Sequence, residues 1–117
     1  MNAIEETKIK RAVTLTQALS HEVRLQICAV LLDGEASVTS ICDVLTLPQH
    51  KVSQQLAILR HAEIVATRRQ SRQIFYTLAD NLVGALVKTL LDQPDAPHHS
   101  REGFSFEAGR FAQISQS

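Results

Sequence analysis

The segment Leu47-Pro48-Gln49-His50-Lys51-Val52-Ser53-Gln54-Gln55-Leu56-Ala57-Ile58-Leu59-Arg60 constrains the chain more than any other. Its apolar residues Val52, Leu56 and Leu59 recur at i, i+4 and i+7, the spacing of one buried helix face. The remaining positions near its start, Gln49, His50, Lys51, Ser53 and Gln54, are hydrogen-bonding groups. That arrangement suits a helix whose N-terminal end enters the major groove of DNA, where Gln can pair with adenine in bidentate fashion. Thr67-Arg68-Arg69-Gln70-Ser71-Arg72-Gln73 follows closely and places three arginines at a predicted hairpin tip. A polar-faced helix followed by a basic hairpin predicts a winged helix-turn-helix: a mainly α fold with a small β-hairpin wing.

Charge supports the same division. The 117 residues carry a formal net charge of zero, which on its face argues against nucleic acid. The balance is uneven along the chain. Residues 49–72 hold Lys51, Arg60, Arg68, Arg69 and Arg72 against Glu63 alone, while the flanking segments are each slightly acidic. Positive charge therefore gathers where phosphate contacts are expected. A solvated charged loop is the plainer reading of the same cluster. On this basis Gln49, His50, Ser53 and Gln54 are candidates for base readout. Lys51, Arg60, Arg68, Arg69 and Arg72 are candidates for phosphate or minor-groove contact.

The rest of the chain reads as a frame for that unit. Ile4 to Leu19 carries a helical apolar stripe behind an acidic first turn. Ser20 is the expected cap of a second, strongly apolar helix, His21 to Leu32, which Asp33-Gly34 ends. Glu35 to Val38 reads as extended, and Thr39 or Ser40 as the cap of a third helix through Leu45. Ile64–Arg68 and Gln73–Leu78 are the strand candidates of the wing, rich in β-branched and aromatic residues. Asp80 caps a last helix to about Leu91 whose apolar residues cover more than one face. Such a helix either packs wholly into its own domain or pairs with a second subunit, and in so short a chain pairing is expected, with the first helix joining in. The expected domain therefore spans residues 1–91. Residues 92–117 form a polar extension that contains Pro94, Pro97 and Gly103, with Phe104, Phe106 and Phe111 available to dock back.

Taken in order, Ala18-Leu19-Ser20-His21-Glu22-Val23-Arg24-Leu25-Gln26-Ile27, Ile41-Cys42-Asp43-Val44-Leu45, Val52 to Arg60, Ala66-Thr67-Arg68-Arg69 and Phe75-Tyr76-Thr77-Leu78 resemble the successive signatures of the ArsR/SmtB repressors. The resemblance covers roughly residues 10–91. It implies a dimeric bacterial winged-helix repressor that binds double-stranded operator DNA and releases it on sensing a metal ion or a thiol-reactive signal. The family's thiolate metal sensors carry Cys-x-Cys in the third helix, where this chain has Ser40 and Cys42. Its zinc sensors use Asp and His of the last helix. Asp80 matches, but Leu82 and Gln93 stand where the two histidines are expected. Its persulfide sensors pair a cysteine near Cys42 with one in the last helix, and the chain has no second cysteine there.

Two sensing sites are left open. Cys28 and Cys42 lie on helices expected to pack together, and they could join or bind a thiophilic ion; they also read as small buried hydrophobes. His98, His99 and Glu102 have a spacing that suits a metal ion if another carboxylate completes the sphere, although a solvated tail gives the same pattern. No cofactor is indicated with certainty, and a metal ion is the one candidate. The alternative function is a protein-interaction module that docks a partner through the last helix and the Phe-bearing tail. An enzyme is not expected, because no nucleophile-base set or glycine-rich phosphate loop stands out. Neither a secretory signal nor a run of about 20 apolar residues is present, so a cytoplasmic protein without membrane contact is expected.

Overall fold

The computed structural model describes residues 1–94 and the dipeptides Glu107–Ala108 and Arg110–Phe111. Five helices are described: α1 (Ala3–Leu19), α2 (Glu22–Leu32), α3 (Val38–Leu45), α4 (Gln49–His61) and α5 (Asn81–Leu91). Three strands, β1 (Ala36–Ser37), β2 (Val65–Gln70) and β3 (Gln73–Leu78), form an antiparallel sheet in the order β1-β3-β2. The two dipeptides pair with each other as short strands. His98, His99, Glu102, Phe104 and Phe106 lie outside the described residues.

Four of the five described helices, all but α4, start where a side chain accepts from one of the free N–H groups. Asn2 Oδ1 accepts from the Glu5 N–H at 2.9 Å, and Glu5 Oε1 accepts from the Asn2 N–H at 3.1 Å, closing a capping box on α1. Asp80 caps α5 as expected, its Oδ1 accepting from the Val83 N–H. The other two expected caps are corrected. Ser20 closes α1, its N–H bonded to the Gln17 carbonyl, so the corner leaves His21 as the extended residue before α2; His21 Nδ1 accepts from the Val23 N–H. Ser37, not Thr39 or Ser40, caps α3, because Ala36 and Ser37 are held extended by pairing with Tyr76 and Phe75 of β3.

Fourteen described residues form one buried cluster, drawn from α1, α2, α3, α4, α5 and the start of the wing. Val52, Leu56 and Leu59 all lie in it, as their spacing predicts. Only the C-terminal end of α1, at Leu15, Ala18 and Leu19, joins this core. Further up the same helix Ile4, Ile9 and Val13 are exposed. On α5, Val83 and Val87 face inward and Leu86 is half-buried, while Leu82, Leu90 and Leu91 are exposed. The chain's own core therefore covers only part of the apolar surface of each terminal helix and leaves the rest exposed.

Candidate nucleic-acid interface

The turn between α3 and α4 is tight because Thr46 adopts a left-handed conformation, with φ 56°. The N–H groups of Thr46 and Leu47 both return to the Cys42 carbonyl. Pro48, extended at φ −69°, then starts α4 without losing a helical hydrogen bond, since its missing N–H falls where none is needed. At the far end α4 stops in a Schellman arrangement. The Glu63 N–H bonds to the Arg60 carbonyl, the Ile64 N–H to the Leu59 carbonyl, and Glu63 takes φ 60°. Leu59 and Ile64 are both fully buried, which supplies the apolar contact that usually accompanies this motif.

Two arginines that sequence reasoning did not single out fix this helix to the body. Arg11 of α1 donates from Nη1 to the Ala62 carbonyl at 2.6 Å and from Nη2 to the Glu63 carbonyl at 3.1 Å. A cation at these carbonyls also complements the negative end of the α4 dipole. Arg24 of α2 donates from Nε to the Ala18 carbonyl at 2.5 Å and from Nη1 to Gln55 Oε1 at 2.9 Å. The helix is thus held from behind by a dry apolar face, at its end by Arg11 and on its flank by Arg24.

The opposite side of α4 is open. Gln49, His50, Lys51, Gln54 and Arg60 are exposed, and Ser53 is half-buried. Ile58, 41% exposed, adds an apolar group that sequence reasoning passed over. The wing stands beside this face. One groove is lined by Ser37, Thr39, Gln49, Arg72 and Gln73, and so joins the first turns of α3 and α4 to the wing tip. A second is lined by Ser53, Ala57, Arg60, His61, Glu63 and Tyr76, between the C-terminal half of α4 and β3.

The wing arginines do not sit together at the tip. The first strand, β2, runs two residues beyond its expected end at Arg68, while β3 spans Gln73–Leu78 as expected; Gln70 pairs with Gln73, and only Ser71 and Arg72 form the turn. Ser71 has φ 58°, the positive value that a two-residue hairpin requires of at least one residue. Arg68 and Arg69 lie within β2. Arg68 is paired: its Nε and Nη2 donate to both carboxylate oxygens of Glu35, and its guanidinium lies over the Phe75 ring. Among the described residues, Lys51, Arg60, Arg69 and Arg72 form no ion pair with the protein.

Both cysteines are free thiols. Cys28 is fully buried, and that burial pushes its thiol up to about 12. Its reactive thiolate is therefore scarce at neutral pH. Cys42 is half-buried, packed against the same core from α3. Among the described residues no three His, Cys, Asp or Glu side chains gather as a metal site.

With this geometry in place, comparison with known proteins is decisive. The profile of the arsR family of bacterial regulatory proteins matches residues 21–67. The transcriptional activator HlyU of Vibrio cholerae is 41% identical over 85 residues, which cover 73% of this chain and 79% of HlyU. The chain belongs to the arsR family. A structure of reduced HlyU superposes with a TM-score of 0.69 at 38% identity, covering 79% of this chain and all of HlyU. The biofilm growth-associated repressor of Agrobacterium fabrum is 39% identical over 85 residues, 73% of each chain. A homodimeric winged helix-turn-helix domain from Mycobacterium bovis shares the fold, with a TM-score of 0.71 at 23% identity; the alignment covers 77% of this chain and 83% of that one. This arsR-family chain is a transcriptional regulator with a DNA-binding winged helix-turn-helix fold. No described helix is long and apolar enough to cross a membrane.

Proposed function

We propose that this regulator is a homodimeric repressor that binds double-stranded operator DNA through α4 and the wing, and leaves it when Cys42 is modified. The observation that carries the DNA reading is the two-sided construction of α4. Val52, Leu56 and Leu59 are fully buried on one side, while Gln49, His50, Lys51, Gln54 and Arg60 are presented to solvent on the other. In this reading Gln49, His50, Ser53 and Gln54 read bases, and Lys51, Arg60, Arg69 and Arg72 hold phosphates or enter the minor groove. The homodimeric relative from Mycobacterium bovis and the apolar stripes on α1 and α5 support a two-fold dimer in residues 1–91, with residues 92–117 as an extension. A dimer would present two reading helices about one DNA turn apart. The Agrobacterium relative's description supports repression. The Vibrio cholerae relative is described as a transcriptional activator.

Cys42 is favoured over Cys28 as the sensing residue because it is partly accessible and because of its place in the backbone. Its carbonyl accepts both N–H groups of the α3–α4 turn, so an adduct that shifts Cys42 also shifts the pivot of the reading helix. The test is a gel shift on the DNA upstream of the protein's own operon, with peroxide, a disulfide, a persulfide donor and a panel of divalent ions. Thiol reagents are expected to release the wild type and to leave a Cys42→Ser variant bound. Equal responses in both proteins, or release by a divalent ion alone, would remove Cys42 from the account.

A further inference from the structure

Arg68 differs from the other cations of the basic segment in having every guanidinium nitrogen engaged. On β2 it faces Phe75 of β3, and Phe75 faces Ser37 of β1, so the three residues form one line across the sheet. The Arg68 side chain follows that line. Its guanidinium carbon lies 4.8 Å from the centre of the Phe75 ring. Beyond the ring, Nε and Nη2 donate to Glu35 Oε2 and Oε1 at 2.5 and 2.6 Å. Nη1 donates to Gln70 Oε1 at 2.8 Å. Glu35 stands just before β1, directly after Gly34, whose φ of 131° turns the chain out of α2. The hydrogen bond from Arg68 holds the Glu35 carboxyl below its usual range, and the pair persists throughout neutral pH.

The wing needs such a tie. Its outer half, Arg69 to Gln73, is exposed at every residue, and an isolated two-stranded hairpin is marginally stable in water. The third strand that joins it to the body is only two residues long. Ser37, at the end of that strand, also caps α3, so whatever fixes the wing to β1 fixes it to the helix-turn-helix. A bidentate guanidinium stacked on an aromatic ring supplies direction as well as attraction, which an ammonium does not.

We infer that the Glu35–Arg68 pair is a positioning strap that sets the wing against the reading helix, and that Arg68 makes no DNA contact of its own. The inference rests on the DNA-binding role proposed above. It differs from a direct contact in the sign of one effect. If Arg68 neutralises a phosphate, Glu35 competes with DNA for it, and removing the carboxylate tightens binding. If Arg68 is a strap, removing the carboxylate loosens the wing and weakens binding.

The test uses the full chain with Glu35→Gln, Arg68→Lys, Arg68→Ala, the Glu35→Gln/Arg68→Ala double variant, and Asp33→Asn as a control for loss of a nearby negative charge. Operator affinity is measured by fluorescence anisotropy across a salt series, and amide hydrogen exchange of residues 66–76 is measured without DNA. The strap predicts that Glu35→Gln binds about two- to five-fold more weakly than Asp33→Asn, in line with a well-oriented exposed pair. Arg68→Lys is expected to lose as much as Glu35→Gln, and the double variant no more than the worse single one. The salt slope stays at the wild-type value, and the wing amides of the free variants exchange faster. Tighter binding by Glu35→Gln, or a salt slope lowered by about one in Arg68→Ala, would overturn the strap. Should the wild type not bind the fragment, the DNA reading fails by itself. The exchange measurement then decides the strap, which unchanged wing amides would refute.

Discussion

The exposed stripe on α5 gives the sharpest quantitative expectation. Leu82 is 68% exposed and Leu90 40% exposed, so together they leave about one whole leucine side chain in water on each protomer. They flank the half-buried Leu86 at i, i+4 and i+8, in a row that borders the face of α5 buried through Val83 and Val87. Fully burying a leucine contributes ~1.5–3 kcal/mol. A two-fold dimer covers the stripe twice, so these two positions contribute about 3–6 kcal/mol to association. Leu82→Glu combined with Leu90→Glu removes that term and places charge at the interface, where an unpaired ion is costly. The dimer dissociation constant should rise by about 10²–10⁴, since each 1.4 kcal/mol is roughly tenfold. Neither side chain belongs to the protomer's own core, so the helix content of the separated chain should be retained. Leu86→Glu is the less clean perturbation, because Leu86 packs against that core. Sedimentation velocity over a concentration series, paired with circular dichroism, checks both parts. A double variant that sediments as the wild-type dimer at every concentration would refute the placement of this interface.

Two further expectations concern the end of α4. Arg11→Ala strips the Ala62 and Glu63 carbonyls of a charged donor and should cost about 1–2 kcal/mol, a fall of roughly 5–10 °C in Tm for a domain of this size, while Lys10→Ala should leave Tm unchanged. Glu63→Gly should raise stability by about 0.5–1 kcal/mol in denaturant unfolding, because glycine adopts the left-handed conformation at φ 60° without a Cβ penalty.

What could be read from the chain beforehand was what depends on near neighbours. The inward face of α4 follows from the spacing of Val52, Leu56 and Leu59, and each is buried. The stop at Asp33-Gly34 and the cap at Asp80 involve residues within one turn of their helices. The caps of α2 and α3 were misplaced because the choice among Ser20, His21, Ser37, Thr39 and Ser40 depends on how the chain turns a corner or joins a sheet. Arg11, Arg24 and Glu35 gave no local sign of their roles, since their partners lie 51, 31 and 33 residues away in sequence. Arg68 was grouped with the tip arginines because β2 continues to Gln70, beyond its apparent end at Arg68, and nothing beside it in sequence announces Glu35. Cys28 and Cys42 looked alike as helical cysteines. Depth of burial separates them, and burial is a property of the assembled core.

The central claim, that α4 reads DNA sequence and the free wing arginines supply affinity, is tested most directly by one anisotropy experiment. Wild type, Gln54→Ala and Arg69→Ala/Arg72→Ala are titrated against the operator fragment and against a random duplex across a salt series. Gln54→Ala should lose about 1–3 kcal/mol on the operator and nothing on the random duplex. The wing variant should weaken on both, with the salt slope reduced by about two. A wild type with no preference for its operator, or a Gln54→Ala loss equal on the two duplexes, would contradict the assignment of α4 as the reading helix.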